Sequence, residues 1–269
     1  MVLNIKKLAA IAGLASTLIL TGCGQEETNT NLIKVGVMAG AEAQVAEVAA
    51  KVAKEQYGLD VELVTFTDYV TPNAALDDGS IDLNAFQHKP YLDQQVADRG
   101  YKIEVAGNSF VYPIAGYSKQ VTAVDQIEDG ARIAVPNDPT NLGRSLLLLQ
   151  EQGLITLRDG SGLAATVRDI TANPKNITIV ELDAAQLPRS LDDVALSVIN
   201  TTYASSLNLT PEKDGIFVED KDSPYVNLIV GRTDNVNTEN VKTFVKAYQS
   251  EEVYQAALKT FKGGVVKGW

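Results

Sequence analysis

From residue 32 onward the chain alternates short apolar runs with stretches whose apolar positions recur at helical spacing. Residues 33–38 predict a strand, and 41–57 set Val45, Val48, Ala49 and Val52 on one helical stripe that stops at Gly58. A second strand is expected at 61–66, a short helix at 73–78 and a third strand at 81–86. A helix at 91–99 ends at Gly100, and 103–105 and 109–117 read as extended. A second series begins near Ile127, with a strand at 132–135 and a helix at 139–152 that has Pro139 at its start and Gly153 beyond its end. Strands at 177–182 and 194–199 flank a short helix, 225–231 is the last clear strand, and helices at 238–248 and 251–261 follow. This alternation predicts an α/β fold with mostly parallel sheets covered on both faces. Two such series predict two lobes, and a crevice between lobes is a preferred place for a ligand.

The first residues follow a different pattern. Lys6 and Lys7 precede an apolar stretch over 8–20, which closes on Leu20-Thr21-Gly22-Cys23. Charged start, apolar core and small-residue end are the grammar of a secretory signal, and the stretch is shorter than the roughly 20 apolar residues that span a bilayer. The arrangement resembles the bacterial lipobox, so residues 1–22 are expected to be a lipoprotein signal peptide and Cys23 the lipidated first residue of the mature chain. Residues 23–31 are polar and unpatterned, and read as a flexible tether to the membrane.

Charge and composition narrow the function. The leader holds two of the 23 basic residues and none of the 34 acidic ones, so the mature chain carries about −13 (21 basic against 34 acidic). No basic cluster occurs, which argues against a nucleic-acid partner. With Cys23 acylated no thiol is left, and the single histidine, His88, rules out a multi-histidine metal site. No cofactor or metal is expected.

Three segments stand out as candidate chemistry. Tyr69, Phe86, His88 and Tyr91 belong to an aromatic group in which Phe86 is expected to close a strand and residues 87–90 to form a loop into the next helix. Aromatics placed there suit the lining of a cleft that buries an apolar, sulfur-containing side chain; the alternative is that Phe86, like Phe66, is core and the tyrosines are half-buried packers, and pattern alone leaves Tyr69 open. Residues 135–144 (VPNDPTNLGR) read as strand, turn and helix start, where free N–H groups and the fork of Arg144 suit a carboxylate; a surface cation paired with an acid is the alternative. Asn200 ends a strand at the edge where open α/β sheets place ligands, and Asn227 lies inside a late strand, facing either a cleft or a neighbouring backbone. Catalytic patterns are thin: Ser145 and His88 lack a nucleophile-elbow motif, and the acidic pairs Asp77-Asp78 and Asp192-Asp193 sit in polar turns.

Together the segments DVELVTFTDYVTPNAAL, DLNAFQHKPYLDQQV, FVYPIAGYS, VPNDPTNLGRSLLLL, ELDAAQLPRSL, INTTYA, YVNLIV and GGVVKGW resemble the MetQ/NlpA family of methionine-binding lipoproteins from bacterial ABC importers. The resemblance covers essentially the whole mature chain. It implies a two-lobe type II periplasmic binding protein fold, with residues 32–112 and about 229–269 in one lobe and about 113–228 in the other. It also implies that Tyr69, Phe86, His88 and Tyr91 wall the thioether tail. Arg144 is then expected on the ligand carboxylate, with Asn141, Asn200 and Asn227 on the amino-acid head group. The implied partners are L-methionine (or D-methionine), an ABC permease with its ATPase, and a membrane held through lipid on Cys23 at the extracytoplasmic side; no enzymatic activity is implied. One departure is residues 191–199, which look shorter than in enterobacterial relatives. Rival readings are the same fold tuned to a methionine derivative or short peptide, an exported esterase using Ser145 and His88, and a structural lipoprotein without a ligand.

Overall fold

The computed structural model describes residues 31–220 and 224–269; the leader, Cys23 and the tether as far as residue 30 lie outside the described residues. In chain order, β1 (Leu32–Met38), α1 (Ala41–Tyr57), β2 (Asp60–Phe66), α2 (Thr71–Asp77), β3 (Leu83–His88), α3 (Lys89–Arg99) and β4 (Ile103–Val111) come first. They are followed by β5 (Ala115–Tyr117), β6 (Arg132–Pro136), α4 (Pro139–Glu151), the short strands β7 (Thr156–Leu157) and β8 (Ile170–Ala172), and β9 (Thr178–Leu182). Next come α5 (Leu187–Ser190), β10 (Leu196–Ile199), α6 (Thr201–Ala204), α7 (Pro211–Asp214) and β11 (Phe217–Val218). The last elements are β12 (Val226–Arg232), α8 (Glu239–Tyr248), α9 (Glu251–Thr260) and β13 (Val266–Lys267).

These strands build a six-stranded sheet, β13-β4-β12-β3-β1-β2, and a five-stranded sheet, β11-β5-β10-β6-β9. In the first, β1 runs parallel to β2 and β3, whereas β12 is antiparallel to both β3 and β4, and β13 is antiparallel to β4. In the second, β6 is parallel to β9 and β10, whereas β5 is antiparallel to β10 and β11. The sheets are therefore mixed rather than mostly parallel. A parallel neighbour needs a crossover through a helix, but β4 and β12 are joined through the second sheet. A chain that leaves along one strand and returns along its neighbour runs the opposite way.

Each sheet is covered on both faces. Ile33, Val35 and Val37 of β1 pack with α1, α8 and α9, while Leu228 and Val230 of β12 turn to Leu76 of α2 and Leu92 of α3. In the second sheet, Ile133 and Val135 of β6 bury against Leu142, Leu146 and Leu149 of α4, and Ala134 packs with Leu187 and Leu191 on the other side. The chain passes from one core to the other between Tyr112, buried in the first, and Ile114, buried in the second. It comes back at β12, which opens at Val226, paired with Val111.

The close fit around α4 depends on Gly143. A Cβ there would lie 2.2 Å from the backbone oxygen of Leu163, in the turn that covers the helix. Alanine is normally the better helix former, but here the contact is with backbone and cannot swing away. Gly143→Ala is expected to destabilise the fold by about 1–3 kcal/mol, read as a lower midpoint in urea; an unchanged or raised midpoint would show that the turn can yield.

Candidate functional site

The site begins where β3 runs directly into α3. Polar residues 87–90 were expected to form a loop, yet β3 continues to His88 and α3 starts at Lys89. The polar side chains here are buried because they satisfy one another. Asn73 Nδ2 donates to Gln87 Oε1 (2.8 Å), Asn84 Nδ2 to Asn73 Oδ1 (2.8 Å) and Gln87 Nε2 to Asn84 Oδ1 (2.9 Å), which bolts α2 to β3. His88 caps α3, with its Nδ1 accepting from the Tyr91 amide at 3.2 Å. Nε2 therefore carries the proton and points to Asn141 Oδ1 at 3.3 Å.

Around this junction stands an aromatic wall. Asp68 accepts from the amides of Val70 and Thr71 (both 2.8 Å), a turn that presents Tyr69. The Tyr69 ring lies 5.8 Å from Phe86, 6.4 Å from Tyr91 and 4.9 Å from Tyr203, and the Tyr91 hydroxyl donates to the Tyr69 carbonyl at 2.7 Å. Met38, Phe86 and Tyr91 are buried in this cluster, with Phe66 packed behind it, outside the cavity lining.

Across from the wall is a polar end. Asp138 caps α4, accepting from the Asn141 amide (2.9 Å) and from its side-chain Nδ2 (2.9 Å), which turns Asn141 Oδ1 outward. That oxygen also accepts from Asn200 Nδ2 at 2.9 Å, so His88, Asn141 and Asn200 form one chain from the first sheet to the second. Asn200 Oδ1, in contrast, is buried and has no hydrogen-bond partner among the described residues. A bulge in β12 lets Asn227 Nδ2 reach the Phe86 carbonyl at 2.9 Å.

Arg144 was expected as a carboxylate fork or a surface cation paired with an acid; it is buried, and its fork is taken. Nε donates to Glu219 Oε1 at 2.7 Å, Nη2 pairs with Glu219 Oε2 and donates to the Tyr112 carbonyl at 3.1 Å, and the guanidinium lies 4.2 Å over the Tyr225 ring. Tyr69, Phe86, His88, Tyr91, Asn141, Arg144, Asn200 and Asn227 all line one cavity.

The NlpA lipoprotein family model matches residues 33–269. The chain belongs to the NlpA lipoprotein family. A relative from Vibrio cholerae, named a probable D-methionine-binding lipoprotein MetQ, is 74% identical over 99% of both chains. Among solved structures, a nutrient-binding protein from Burkholderia cenocepacia bound to methionine superposes with TM-score 0.86 at 53% identity, covering 88% of this chain and 100% of that one. An ABC transporter periplasmic substrate-binding protein from Coxiella burnetii superposes equally well, TM-score 0.86, at 50% identity and with the same coverage. The mixed α/β architecture of this NlpA-family chain is thus the periplasmic binding protein fold.

Four further residues of this NlpA-family chain line the cavity: Gln87, Tyr112, Thr201 and Thr202. Each lies beside a residue already singled out, or in a segment quoted for the resemblance, but carried no pattern of its own. Behind Thr202 sits Glu42, in the first turn of α1, accepting the Thr202 hydroxyl at 2.6 Å. Burial pushes the Glu42 carboxyl up to about 8, against the lowering effect of that hydrogen bond. Burial, helped by the nearby Arg144 charge, pushes His88 down to about 3. Burial likewise raises the Tyr69 and Tyr91 phenols. Near neutral pH the imidazole and the phenols are therefore uncharged. The arrangement can bury an apolar tail against aromatic rings while offering matched donors and acceptors to a charged head.

Proposed function

We propose that this protein captures methionine in the cleft and delivers it to an ABC importer as its substrate-binding component. The observation that carries the reading is the division of one cavity into an aromatic end (Tyr69, Phe86, Tyr91) and a polar end (Asn141, Arg144, Asn200, Asn227). A thioether tail gains roughly 0.8 kcal/mol per CH₂ on leaving water, and the rings add sulfur–aromatic contact. The head group must be fully paired, because an unmet buried charge costs several kcal/mol. Asn200 Oδ1 accepts from the ligand ammonium, and Nη1 of Arg144 donates to its carboxylate. The Vibrio cholerae relative, a probable D-methionine-binding lipoprotein, and the methionine-bound Burkholderia cenocepacia protein support the same ligand class.

Each sheet supports one lobe, and closure of the lobes joins the two ends of the site. The permease and its ATPase then open the closed form and release the ligand inward. Lipid on Cys23 holds the protein at the extracytoplasmic face of a membrane. The protein works as a binder and not as a hydrolase: Tyr91 and Asn141 engage both ring nitrogens of His88, and Ser145 Oγ makes no hydrogen bond to it.

Titration calorimetry on the purified protein, unfolded and refolded to strip carried-over ligand, tests the reading with L-methionine, D-methionine and leucine. Saturable binding of a methionine isomer well ahead of leucine is expected; silence with all three would leave the cleft to another ligand. Phe86→Leu keeps most of the volume but removes the ring. It is expected to weaken methionine about three- to tenfold, as loss of one aromatic or sulfur–aromatic contact implies, and to narrow the preference over leucine. Unchanged selectivity in the same titrations would remove Phe86 from the specificity wall.

A further inference from the structure

We infer that Glu219 determines the charge class of the ligand: by holding the fork of Arg144, it makes the cleft a receptor for zwitterions and excludes the corresponding anions. The inference rests on the reading of the cleft as an amino-acid site and goes beyond it, because it gives a role to a residue outside the cavity lining.

Among the described residues that line the cavity, Arg144 is the one Asp, Glu, Lys or Arg. Alone, it would make the cleft a site for anions. Glu219 cancels it at contact distance, through Nε to Oε1 at 2.7 Å and through the Nη2–Oε2 pair. Side-chain exposure is 4% for Arg144 and 12% for Glu219, so solvent does little to screen either the charges or their cancellation. The Glu219 backbone is held in place as well, its amide donating to the Ile114 carbonyl at 3.0 Å.

Geometry limits Arg144 further. Of its five N–H donors, the one on Nε goes to Glu219, and Nη2 serves Glu219 and the Tyr112 carbonyl. The Tyr225 ring covers one face of the guanidinium. Only Nη1 is left for a ligand, so a carboxylate meets an oriented donor on a neutralised ion pair rather than a free cation. His88 is held neutral by its burial and adds no positive charge near pH 7. A carboxylate therefore enters favourably only when it brings its own positive charge, and the unpartnered Asn200 Oδ1 is an acceptor for that ammonium.

The test compares L-methionine with 4-(methylthio)butanoate, which keeps the thioether and carboxylate but lacks the ammonium, by calorimetry on the purified protein. The unmodified protein is expected to prefer methionine by about a hundredfold or more. Glu219→Gln keeps the shape but leaves Arg144 uncompensated, and is expected to narrow that ratio about tenfold or more through a gain in affinity for the anion; charge pairs at this distance couple strongly enough for that. Glu219→Asp, which keeps the charge, is expected to preserve the ratio even if both affinities fall. A purely structural role would lower both affinities together and leave the ratio alone. The inference is overturned if Glu219→Gln leaves the ratio unchanged, or, without any variant, if the unmodified protein binds the anion as tightly as methionine. Failure of the unmodified protein to bind methionine at all overturns the reading of the cleft itself.

Discussion

Arg144→Ala is expected to weaken methionine binding about a hundredfold or more and to destabilise the folded protein at the same time. The two effects have one cause. Arg144 donates to Glu219, to the Tyr112 carbonyl and, in the proposed complex, to the ligand carboxylate. Alanine removes the ligand's donor and leaves the Glu219 carboxylate nearly buried without its partner, facing a second carboxylate. Truncating one member of a desolvated charge pair costs about 2–5 kcal/mol in binding, and breaking a buried pair costs about 3–5 kcal/mol in stability. The double variant Arg144→Ala/Glu219→Ala is expected to recover much of the stability and none of the affinity, since the orphaned charge goes but the donor does not return. Arg144→Lys should rescue little, because an ammonium cannot span Glu219, Tyr112 and ligand as a planar fork does. Urea melts and calorimetry on the three variants check this. Near-wild-type affinity in Arg144→Ala would remove the residue from the head-group site.

The second large effect is on the pH dependence of stability, and it comes from Glu42 and His88 pulling in opposite directions. Glu42 is raised from 4.5 to about 8 on folding, so between these values the folded protein holds a proton that the unfolded chain has released. Its contribution is intact below pH 4.5 and is lost as pH rises toward 8, reaching roughly 3 kcal/mol by pH 7. His88 is lowered from 6.5 to about 3, so between these values the unfolded chain holds the extra proton. Its contribution is intact above pH 6.5 and is lost as pH falls toward 3. Between about pH 4.5 and 6.5 the two slopes cancel, and the protein is expected to show a plateau that falls away on both sides. Glu42→Gln keeps an acceptor for the Thr202 hydroxyl and removes one of the slopes. The variant should gain stability up to pH 6.5, stay level above it and melt several degrees higher than the unmodified protein at pH 8. Melting curves at pH 5, 6.5 and 8 decide the matter; a constant difference between the two proteins across that range would mean that Glu42 does not titrate as its burial requires.

Much of the candidate site was legible without coordinates. Tyr69, Phe86, His88, Tyr91, Asn141, Arg144, Asn200 and Asn227 lie at strand ends and helix starts, and the structure brings all eight to one cavity. For Phe86, His88, Tyr91, Arg144 and Asn200 the signal was local, at places where a strand–helix pattern turns over; Tyr69, Asn141 and the head-group role of Asn227 came from the family resemblance. Where local reasoning failed, the cause was a partner distant in the chain. Residues 87–90 look like a loop because they are polar, but Asn73 and Asn84 satisfy Gln87 and allow β3 to stay buried to its end. Glu219 carried no pattern that singled it out, and only the fold sets it against Arg144, 75 residues earlier. Glu42 is an ordinary acidic residue in the first turn of a helix until Thr202, 160 residues later, closes over it.

What the sequence determined by itself was the series of elements. Helical periodicity and the stop at Gly58, which takes the left-handed conformation (φ 69°), define α1 over 41–57, and Pro139 with the Asp138 cap opens α4. These are short-range effects of backbone geometry and capping, and they are complete within a few residues of chain. The tertiary structure decided the strand directions, the fork of Arg144 and the protonation of Glu42 and His88. Direction depends on the route a chain takes between sheets, and the state of a charge depends on which groups surround it and how far water is excluded. Both are set by residues far apart in sequence, and they exist only once the two sheets are folded.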